Sequence, residues 1–217
     1  PDPLPADPAG LVRAWFDEAH KLRVQPNPNA IALATSDAAG ILSCRIVLCK
    51  HLREREGYLV FFTNYQSRKG QALDAHPRAA AVMHWDAPDR QIRFEGPVVR
   101  SPAAESDAYF ATRLAESRLG AWSSDQSRPV DSRDALLKKV EATAARLGYT
   151  PETLASGDGP EIPRPPHWGG YRLWAERIEV WVGGPGRGHD RAAWTRSLTP
   201  GTGEGEFAGT PWTSTPF

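Results

Sequence analysis

The stretch SCRIVLCK, residues 43–50, decides how this chain folds. Its central residues are strong strand formers, and the turn sequence DAAG precedes it at residues 37–40. We therefore predict a strand over residues 41–50. Another strand is predicted over residues 30–35, and the turn joins the two as a hairpin. Because side chains alternate along a strand, residues 45, 47 and 49 should share one face and residues 46, 48 and 50 the other.

Two cations, Arg45 and Lys50, lie in this apolar strand, and a second basic cluster follows the next apolar run. The run LVFFT at residues 59–63 leads into Ser67-Arg68-Lys69, where a short helix is predicted to begin. A cation among apolar neighbours needs an anion or access to water. Solvated edge charges are one interpretation. The other is a phosphate site, because two strands each deliver cations and hydroxyls near their ends.

The rest of the chain alternates short strands with helical connections. We predict helices over residues 8–23, 67–76, 101–116 and 132–147. Further strands are predicted over residues 57–63, 79–85, 90–100, 171–174 and 178–182. Short sequential strands favour an antiparallel barrel with flanking helices over a parallel βαβ sheet. We expect a single domain over residues 1–217, with an N-terminal arm at 1–7 and a loop and tail at 197–217.

Composition narrows the functional class. Lys and Arg together number 26, as do Asp and Glu, so the chain lacks the basic excess that is usual in nucleic-acid binders. The two cysteines, Cys44 and Cys49, are too far apart on one strand to bond and are expected to be reduced core thiols of a cytoplasmic protein. The sequence contains no run of 18 apolar residues, so no membrane span is predicted. The histidines show no metal-ligand spacing with the cysteines.

A polar pattern on the helix predicted from residue 101 suggests an anion clamp. Tyr109, Arg113 and Ser117 recur at every fourth residue, so they should share one helix face. A guanidinium flanked by two hydroxyls is suited to bind a phosphate group. A solvated polar stripe is the alternative interpretation.

A second pattern follows the strand predicted at 178–182. Arg187, His189 and Arg191 alternate, and in an extended segment all three point to one side. One interpretation is that the two arginines hold the imidazole between them as a neutral hydrogen-bonding group, and an exposed polar strand edge is the other. Gln91, inside an alternating strand, and the loop pair Gln126-Ser127 are weaker signals, because such residues more often satisfy structural hydrogen bonds.

Taken together, these segments resemble the pyridoxamine 5′-phosphate oxidase family, from LPADP at residues 4–8 to Arg191. The segments that carry the resemblance are RIVLCK (45–50), FTNYQSRKG (62–70), RQ (90–91), SDAYF (106–110), GAW (120–122), QS (126–127), PPHWGG (165–170) and HDR (189–191). Their number and their order along the chain make the resemblance specific.

The resemblance implies a mainly β, α+β fold: an antiparallel split barrel of Greek-key type with flanking helices. It implies a homodimer that holds FMN at the subunit interface. It further implies that pyridoxine or pyridoxamine 5′-phosphate is oxidised to pyridoxal 5′-phosphate while O2 is reduced to H2O2. This is a role in cytoplasmic vitamin B6 metabolism, with no nucleic-acid or membrane partner and no metal.

The resemblance also implies roles for individual residues. The implied FMN contacts are Arg45, Ile46, Val47, Leu48, Cys49, Lys50, Phe62, Thr63, Arg68, Lys69, Gln91, Gln126, Ser127, Trp181 and Arg191. The implied substrate-phosphate contacts are Lys50, Tyr109, Arg113 and Ser117. Arg187 and His189 are implied to cover the pyridine ring of the substrate and to be the catalytic pair.

The chain departs from the family pattern at several positions. Val182 stands where Gln is usual, Gly188 where Leu is usual, and Arg118 where Gln is usual. Two alternatives follow. One is a flavin oxidase of the same fold that acts on another ring, such as a phenazine precursor, and the other is a flavin or pyridoxal-phosphate carrier that binds without turnover.

Overall fold

The computed structural model describes residues 3–156 and 159–217, with all side chains except those of Leu154, Ala155 and Arg187. The helices of this part are α1 (Ala9–Lys21), α2 (Arg68–Ala75), α3 (Ala103–Ala111), α4 (Ala115–Ser123), α5 (Arg133–Arg146) and α6 (Pro151–Ser156). The strands are β1 (Ala30–Ser36), β2 (Leu42–Leu48), β3 (His51–Arg53), β4 (Tyr58–Asn64), β5 (Arg78–Trp85), β6 (Arg90–Arg100), β7 (Trp168–Trp174), β8 (Arg177–Val182), β9 (Asp190–Thr195), β10 (Leu198–Pro200), β11 (Phe207–Gly209) and β12 (Thr213–Pro216).

The strands pair antiparallel, as the sequence predicts. The main path through the sheet runs β12-β9-β8-β6-β5-β1-β2, and β6 also pairs with β7, which pairs with β4, and β4 with β3. The predicted hairpin is confirmed, because β1 and β2 pair from Ala30 opposite Leu48 to Ser36 opposite Leu42. This topology, with helices in the connections, is that of an antiparallel split barrel.

The chain forms two compact units. Unit 1 contains residues 1–61, 72–101 and 171–217, and unit 2 contains residues 62–71 and 102–170. Unit 1 has the alternating burial expected of strands that cover a core on one face, with Ile31, Leu33, Ile92 and Phe94 almost completely buried. Unit 2 has its own core, formed by Phe110, Leu119, Ala121, Ala144, Tyr149, Ile162 and Trp168.

The helix predicted over residues 101–116 is in fact two helices, α3 and α4. The backbone leaves the helical conformation at Leu114, where ψ is 149°. The amides of Thr112 and Arg113 bond three residues back, to the carbonyls of Tyr109 and Phe110, which is how a helix commonly tightens as it ends. Periodicity could not reveal this break, because the helical spacing of polar residues continues through it.

Three other expectations needed correction. Cys49 is buried but Cys44 is exposed, so only one of the two is a core thiol. The short strand β3 and the helix α6 were not predicted. The segment 197–217, expected to be a loop and tail, carries β10, β11 and β12, and β12 pairs with β9.

One arginine of unit 1 is packed against two glycines. Arg196 donates to the carbonyls of Ala175, Glu56 and Gly57, at 2.9, 2.8 and 3.2 Å. A Cβ atom on Gly57 would lie 2.3 Å from its guanidinium, and one on Gly209 would lie 2.7 Å from it. The absence of side chains at these two positions therefore makes room for Arg196.

Candidate active site

The basic cluster that follows β4 forms a network of polar side chains in unit 2. The Lys69 ammonium donates to Thr63 Oγ1 at 3.0 Å and to Gln126 Oε1 at 2.9 Å. Thr63 Oγ1 in turn donates to Gln126 Oε1 at 3.1 Å. The structure thus brings together three residues that the resemblance assigns to one ligand, from positions 63, 69 and 126.

The surroundings of Lys69 add donors and space. Ser67 Oγ accepts a hydrogen bond from Lys69 at 3.3 Å. Arg68 begins α2, and its side chain is exposed. A cavity of about 370 Å³ is lined by Gln66, Asp125, Gln126 and Arg128. Ser127, beside it, has a positive φ of 69°, a conformation that is uncommon outside glycine. An ammonium, hydroxyls and a helix start next to a cavity are the groups that bind a phosphate.

A second part of unit 2 is an aromatic stack beneath a cation. The ring of Phe62 lies 4.0 Å from Tyr109 and 5.5 Å from Trp168, centroid to centroid and nearly parallel. The guanidinium carbon of Arg113 lies 4.8 Å from the Trp168 centroid and 5.5 Å from that of Phe110. Phe62, assigned to FMN by the resemblance, therefore uses its ring to support Tyr109.

Arg113 has an unused donor. Its Nη1 atom is buried and has no hydrogen-bond partner among the described residues. Burial lowers the pKa of Arg113 below its ordinary value, an effect that Tyr109 partly offsets. A buried cationic donor without an acceptor is costly, and an anionic ligand is the natural acceptor.

The expected single helix face for Tyr109, Arg113 and Ser117 is wrong. Tyr109 belongs to α3, Arg113 to the link between the helices, and Ser117 to α4, where it is exposed. Arg118, the residue after it, has a buried Nε atom with no hydrogen-bond partner in the described part of the chain. The tight turn of backbone at 112–114, rather than a helical repeat, places the Arg113 side chain over Trp168.

In unit 1, the implied FMN residues of the opening stretch lie on β2, from Arg45 to Leu48, and directly after it, at Cys49 and Lys50, because the strand predicted over 41–50 ends at Leu48. Arg45 donates to the Leu33 carbonyl at 3.0 Å, to Thr35 Oγ1 at 2.8 Å and to Ser43 Oγ. Ile46 is 65% exposed, Val47 and Leu48 are half-buried, and Lys50 is exposed. Burial raises the pKa of the Cys49 thiol to about 12, so Cys49 is a neutral packing residue.

Three other implied FMN residues lie in one row across the sheet of unit 1. Gln91 on β6 is directly opposite Trp181 on β8, and Trp181 is directly opposite Arg191 on β9. Directly opposite residues of neighbouring strands project from the same face. An amide, an indole and a guanidinium from three strands therefore share one surface, although 100 residues separate the first from the last.

The expected extended segment from Arg187 to Arg191 is wrong. Residues Pro185–Arg187 form a 3-10 turn with φ of 63° at Gly186, and β9 begins only at Asp190. The side chain of Arg187 lies outside the described residues. His189 is exposed, its ring lies 4.7 Å from that of Trp181, and its Nδ1 accepts a hydrogen bond from the Gly184 amide at 3.3 Å.

The WGGY segment at 168–171, whose first three residues belong to the PPHWGG segment of the resemblance, packs beside the aromatic stack. Trp168 is the base of the aromatic stack, and a Cβ atom on Gly169 would lie 2.0 Å from the Tyr65 hydroxyl. Tyr65 OH donates to the Gly170 carbonyl at 3.3 Å, and the Gly170 amide donates to Ser106 Oγ at 3.1 Å. The glycines thus permit the close approach that fixes Trp168.

Within 3–156 and 159–217, no helix is both long and apolar enough to cross a membrane. The same part of the chain contains no group of three or more His, Cys, Asp or Glu residues placed to bind a metal ion.

The fold is that of the flavin-binding split-barrel class. A pyridoxamine 5′-phosphate oxidase-related FMN-binding protein from Nostoc punctiforme has the same fold, with a TM-score of 0.66 over 96% of this chain and 95% of that one, at 16% identity. PhzG from Burkholderia lata, solved with tetrahydrophenazine-1-carboxylic acid, is 27% identical with a TM-score of 0.80, over 100% of this chain and 94% of that one.

Sequence comparison then gives the family. The family model "Pyridoxamine 5′-phosphate oxidase" matches residues 16–146, and "Pyridoxine 5′-phosphate oxidase C-terminal dimerisation region" matches residues 168–215. Pyridoxine/pyridoxamine 5′-phosphate oxidases from Cupriavidus taiwanensis and Cupriavidus necator are each 49% identical, over 91% and 90% of this chain and 85% and 84% of the relatives. The chain belongs to the pyridoxamine 5′-phosphate oxidase family.

Proposed function

We propose that this protein is an FMN-dependent oxidase that converts pyridoxine or pyridoxamine 5′-phosphate to pyridoxal 5′-phosphate, with reduction of O2 to H2O2. The observation that carries the proposal is that unit 2 holds two cations with separate sets of contacts. Lys69 lies among hydroxyl and amide groups, and Arg113 lies on an aromatic stack. A phosphorylated cofactor and a phosphorylated substrate need two such groups.

The residues present fit FMN. Lys69, Thr63 and Ser67 surround one point at the start of α2, as a terminal monophosphate requires. The row of Gln91, Trp181 and Arg191 offers an amide, a ring and a cation to a polar aromatic ring system. Bound FMN would supply the electron acceptor for oxidation of the substrate. The implied FMN residues from Arg45 to Lys50, on β2 and directly after it, are proposed to complete the site.

The substrate is proposed to bind through its phosphate. Arg113 offers its buried Nη1 atom, and Tyr109, Ser117 and Lys50 are assigned to the same group by the family resemblance. Arg187 and His189 are proposed to hold the pyridine ring. The bond from the Gly184 amide makes His189 Nδ1 an acceptor, so a neutral ring carries its proton on Nε2, where it donates to the substrate.

A second candidate function is oxidation of a different anionic ring. The similarity to PhzG over the whole chain supports it. The buried Nη1 atom of Arg113, which has no partner among the described residues, can donate to a carboxylate as readily as to a phosphate. A carrier that binds flavin without turnover is the third, and its distinguishing property is the absence of peroxide release.

One experiment tests the function. Protein as purified, with no flavin added, is heat-denatured, and the supernatant is separated by chromatography; we expect FMN. Undenatured protein is then supplied in air with each phosphorylated vitamer, and with a dihydrophenazine carboxylate, while H2O2 is measured. We expect peroxide with the phosphorylated vitamers and none with the phenazine compound. Release of FAD contradicts the cofactor, peroxide only with the phenazine compound favours the second candidate, and flavin without peroxide favours the carrier.

We also propose that the protein is a homodimer. One family model that matches the chain describes a dimerisation region. In unit 1, the strand β2 is at the end of the main path of the sheet, and Leu42 and Ile46 on it are 76% and 65% exposed. Large apolar side chains aligned on an edge strand are typical of a surface that a partner covers.

We expect flavin-loaded protein to have twice the 23.8 kDa mass of the chain in light scattering at micromolar concentration. Leu42→Asp should shift the mass toward the monomer, because a charge would be buried in the interface. Leu136→Asp, on the exposed part of α5 in unit 2, is the matched control and should leave the mass unchanged. A flavin-loaded monomer in the unmodified protein would exclude a flavin site built at a subunit interface.

A further inference from the structure

A buried carboxylate lies beside the row of implied FMN residues in unit 1. On β8, Glu179 is two residues before Trp181, so both project from the same face of the sheet. Glu179 is directly opposite Arg93 on β6. On this face, the next row toward the C-terminal end of β8 contains Gln91, Trp181 and Arg191. Glu179 is 2% exposed, whereas most carboxylates are at the surface.

Three guanidinium groups surround this carboxylate. Arg177 donates to Glu179 Oε2 at 2.7 Å, and Arg191 and Arg93 donate to Oε1 at 3.0 and 3.3 Å. Burial by itself would raise the pKa of Glu179, but the hydrogen bonds from Arg177 and Arg191 outweigh it and keep the pKa below its ordinary value. Glu179 is therefore ionised near neutral pH, and both of its oxygens accept bonds.

Arg191 is held on two sides. Its Nη2 atom is bonded to Glu179, and its guanidinium carbon lies 5.5 Å from the centroid of the Phe217 ring. The side chain of Arg191 is nevertheless 44% exposed, in contrast to the 3% of Glu179. A long flexible cation with a buried anchor and an accessible outer surface is oriented before any ligand arrives, which lowers the entropy cost of binding.

We propose that Glu179 is a positioning residue that fixes the Arg191 guanidinium for contact with the flavin. This inference rests on the proposed FMN cofactor. Nothing in the sequence pattern distinguished Glu179, because an acidic residue in an alternating strand is usually solvated. Its role follows from the geometry: the buried carboxylate binds one side of the Arg191 guanidinium and leaves the exposed part of that side chain free to contact a ligand.

The test is the affinity of the apoprotein for FMN, measured by quenching of flavin fluorescence. Glu179→Gln preserves the shape of the side chain and removes its charge. We expect the Kd for FMN to rise roughly 10-fold, as for loss of a charge-assisted bond. Glu95→Gln is the matched control. Glu95 is on the same sheet and accepts a bond from Arg93 at 2.6 Å, but within the described part of the chain it makes no bond to Arg191, so the Kd should change less than about twofold.

A double-mutant cycle separates positioning from a general structural role. If Glu179 acts through Arg191, the Arg191→Gln and Glu179→Gln/Arg191→Gln proteins should have the same Kd. The proposal would be overturned if the fold-changes in Kd of the two single variants multiplied in the double variant. It would also be overturned if the Kd of Glu179→Gln were unchanged or lower. Melting temperatures of the apoproteins show whether each variant is folded. If Glu179→Gln does not fold, Glu179→Asp replaces it in the cycle, since it keeps the charge but withdraws it from Arg191.

The outcome for Glu179 is distinguishable from failure of the proposed function. If the unmodified apoprotein does not bind FMN, the cofactor assignment fails, and the positioning role with it. If the unmodified protein binds FMN and Glu179→Gln binds it equally well, the cofactor assignment stands and only the positioning role is excluded.

Discussion

His189→Ala should slow the reduction of bound flavin by pyridoxine 5′-phosphate by roughly 10- to 1000-fold, because misplacement of a substrate by about 1 Å can cost about 100-fold in rate. The His189 ring lies against Trp181, which is in the implied flavin row, and the Gly184 amide fixes its Nδ1 atom. The ring is therefore oriented before substrate binds. Flavin content should be unchanged, since His189 is proposed to contact the substrate.

The measurement is anaerobic single-turnover reduction, followed by flavin absorbance after mixing with substrate. His189→Gln should recover part of the rate, because its amide can donate where Nε2 donated. His20→Ala is the control. His20 is an exposed residue of α1 whose ring lies 4.3 Å from Phe16, and its loss should not change the rate. Equal rates in the His189→Ala and unmodified proteins would show that this residue does not orient the substrate.

Arg113→Met should weaken substrate binding by about 10- to 100-fold, the usual effect of losing a charge-assisted bond, and leave FMN affinity within about twofold. Methionine retains the contact with Trp168 and Phe110 but removes the charge and the buried Nη1 donor. Substrate affinity is obtained from the concentration dependence of flavin reduction. FMN affinity is obtained separately, from fluorescence quenching on titration of the apoprotein.

Two variants of unit 2 serve as controls for Arg113. Arg146 also lies over a tryptophan, 5.5 Å from the Trp122 centroid, so Arg146→Met removes a comparable cation–π contact away from the candidate site and should affect neither affinity. Lys69→Met should have the opposite pattern to Arg113→Met: FMN affinity should fall, and substrate affinity should be retained. If Arg113→Met instead loses FMN and retains substrate affinity, Arg113 belongs to the cofactor site.

Much of the fold could be predicted from local pattern. The hairpin of β1 and β2, the strands β5 and β6 and the helix α5 are where apolar periodicity and turn residues place them. The break between α3 and α4 could not be predicted. Helical spacing of polar groups continues through it, and no proline or glycine marks residues 112–114. The strands of the tail are short and rich in Thr and Pro, so alternation was too weak to reveal them.

The candidate site shows the same division. Sequence identified Lys69, Thr63 and Gln126 as members of one site, and the structure brings them together. The roles assigned to these and the other site residues remain predictions. Glu179 was missed because its significance depends on arginines from three different strands, and such long-range pairing leaves no local signal.

The packing of Arg196 against Gly57 and Gly209 has a consequence for how related sequences can diverge. Any side chain at either glycine would collide with the guanidinium, and loss of the guanidinium would leave the carbonyls of Ala175 and Glu56 without their donor. A single substitution at any of the three positions is therefore penalised. A paired change can compensate only between positions 196 and 209, because the φ of 79° at Gly57 strains any other residue there whatever its surroundings. We expect positions 196 and 209 to covary among relatives, so that an arginine at 196 is found with glycine at 209 and a larger residue at 209 is found with a shorter residue at 196.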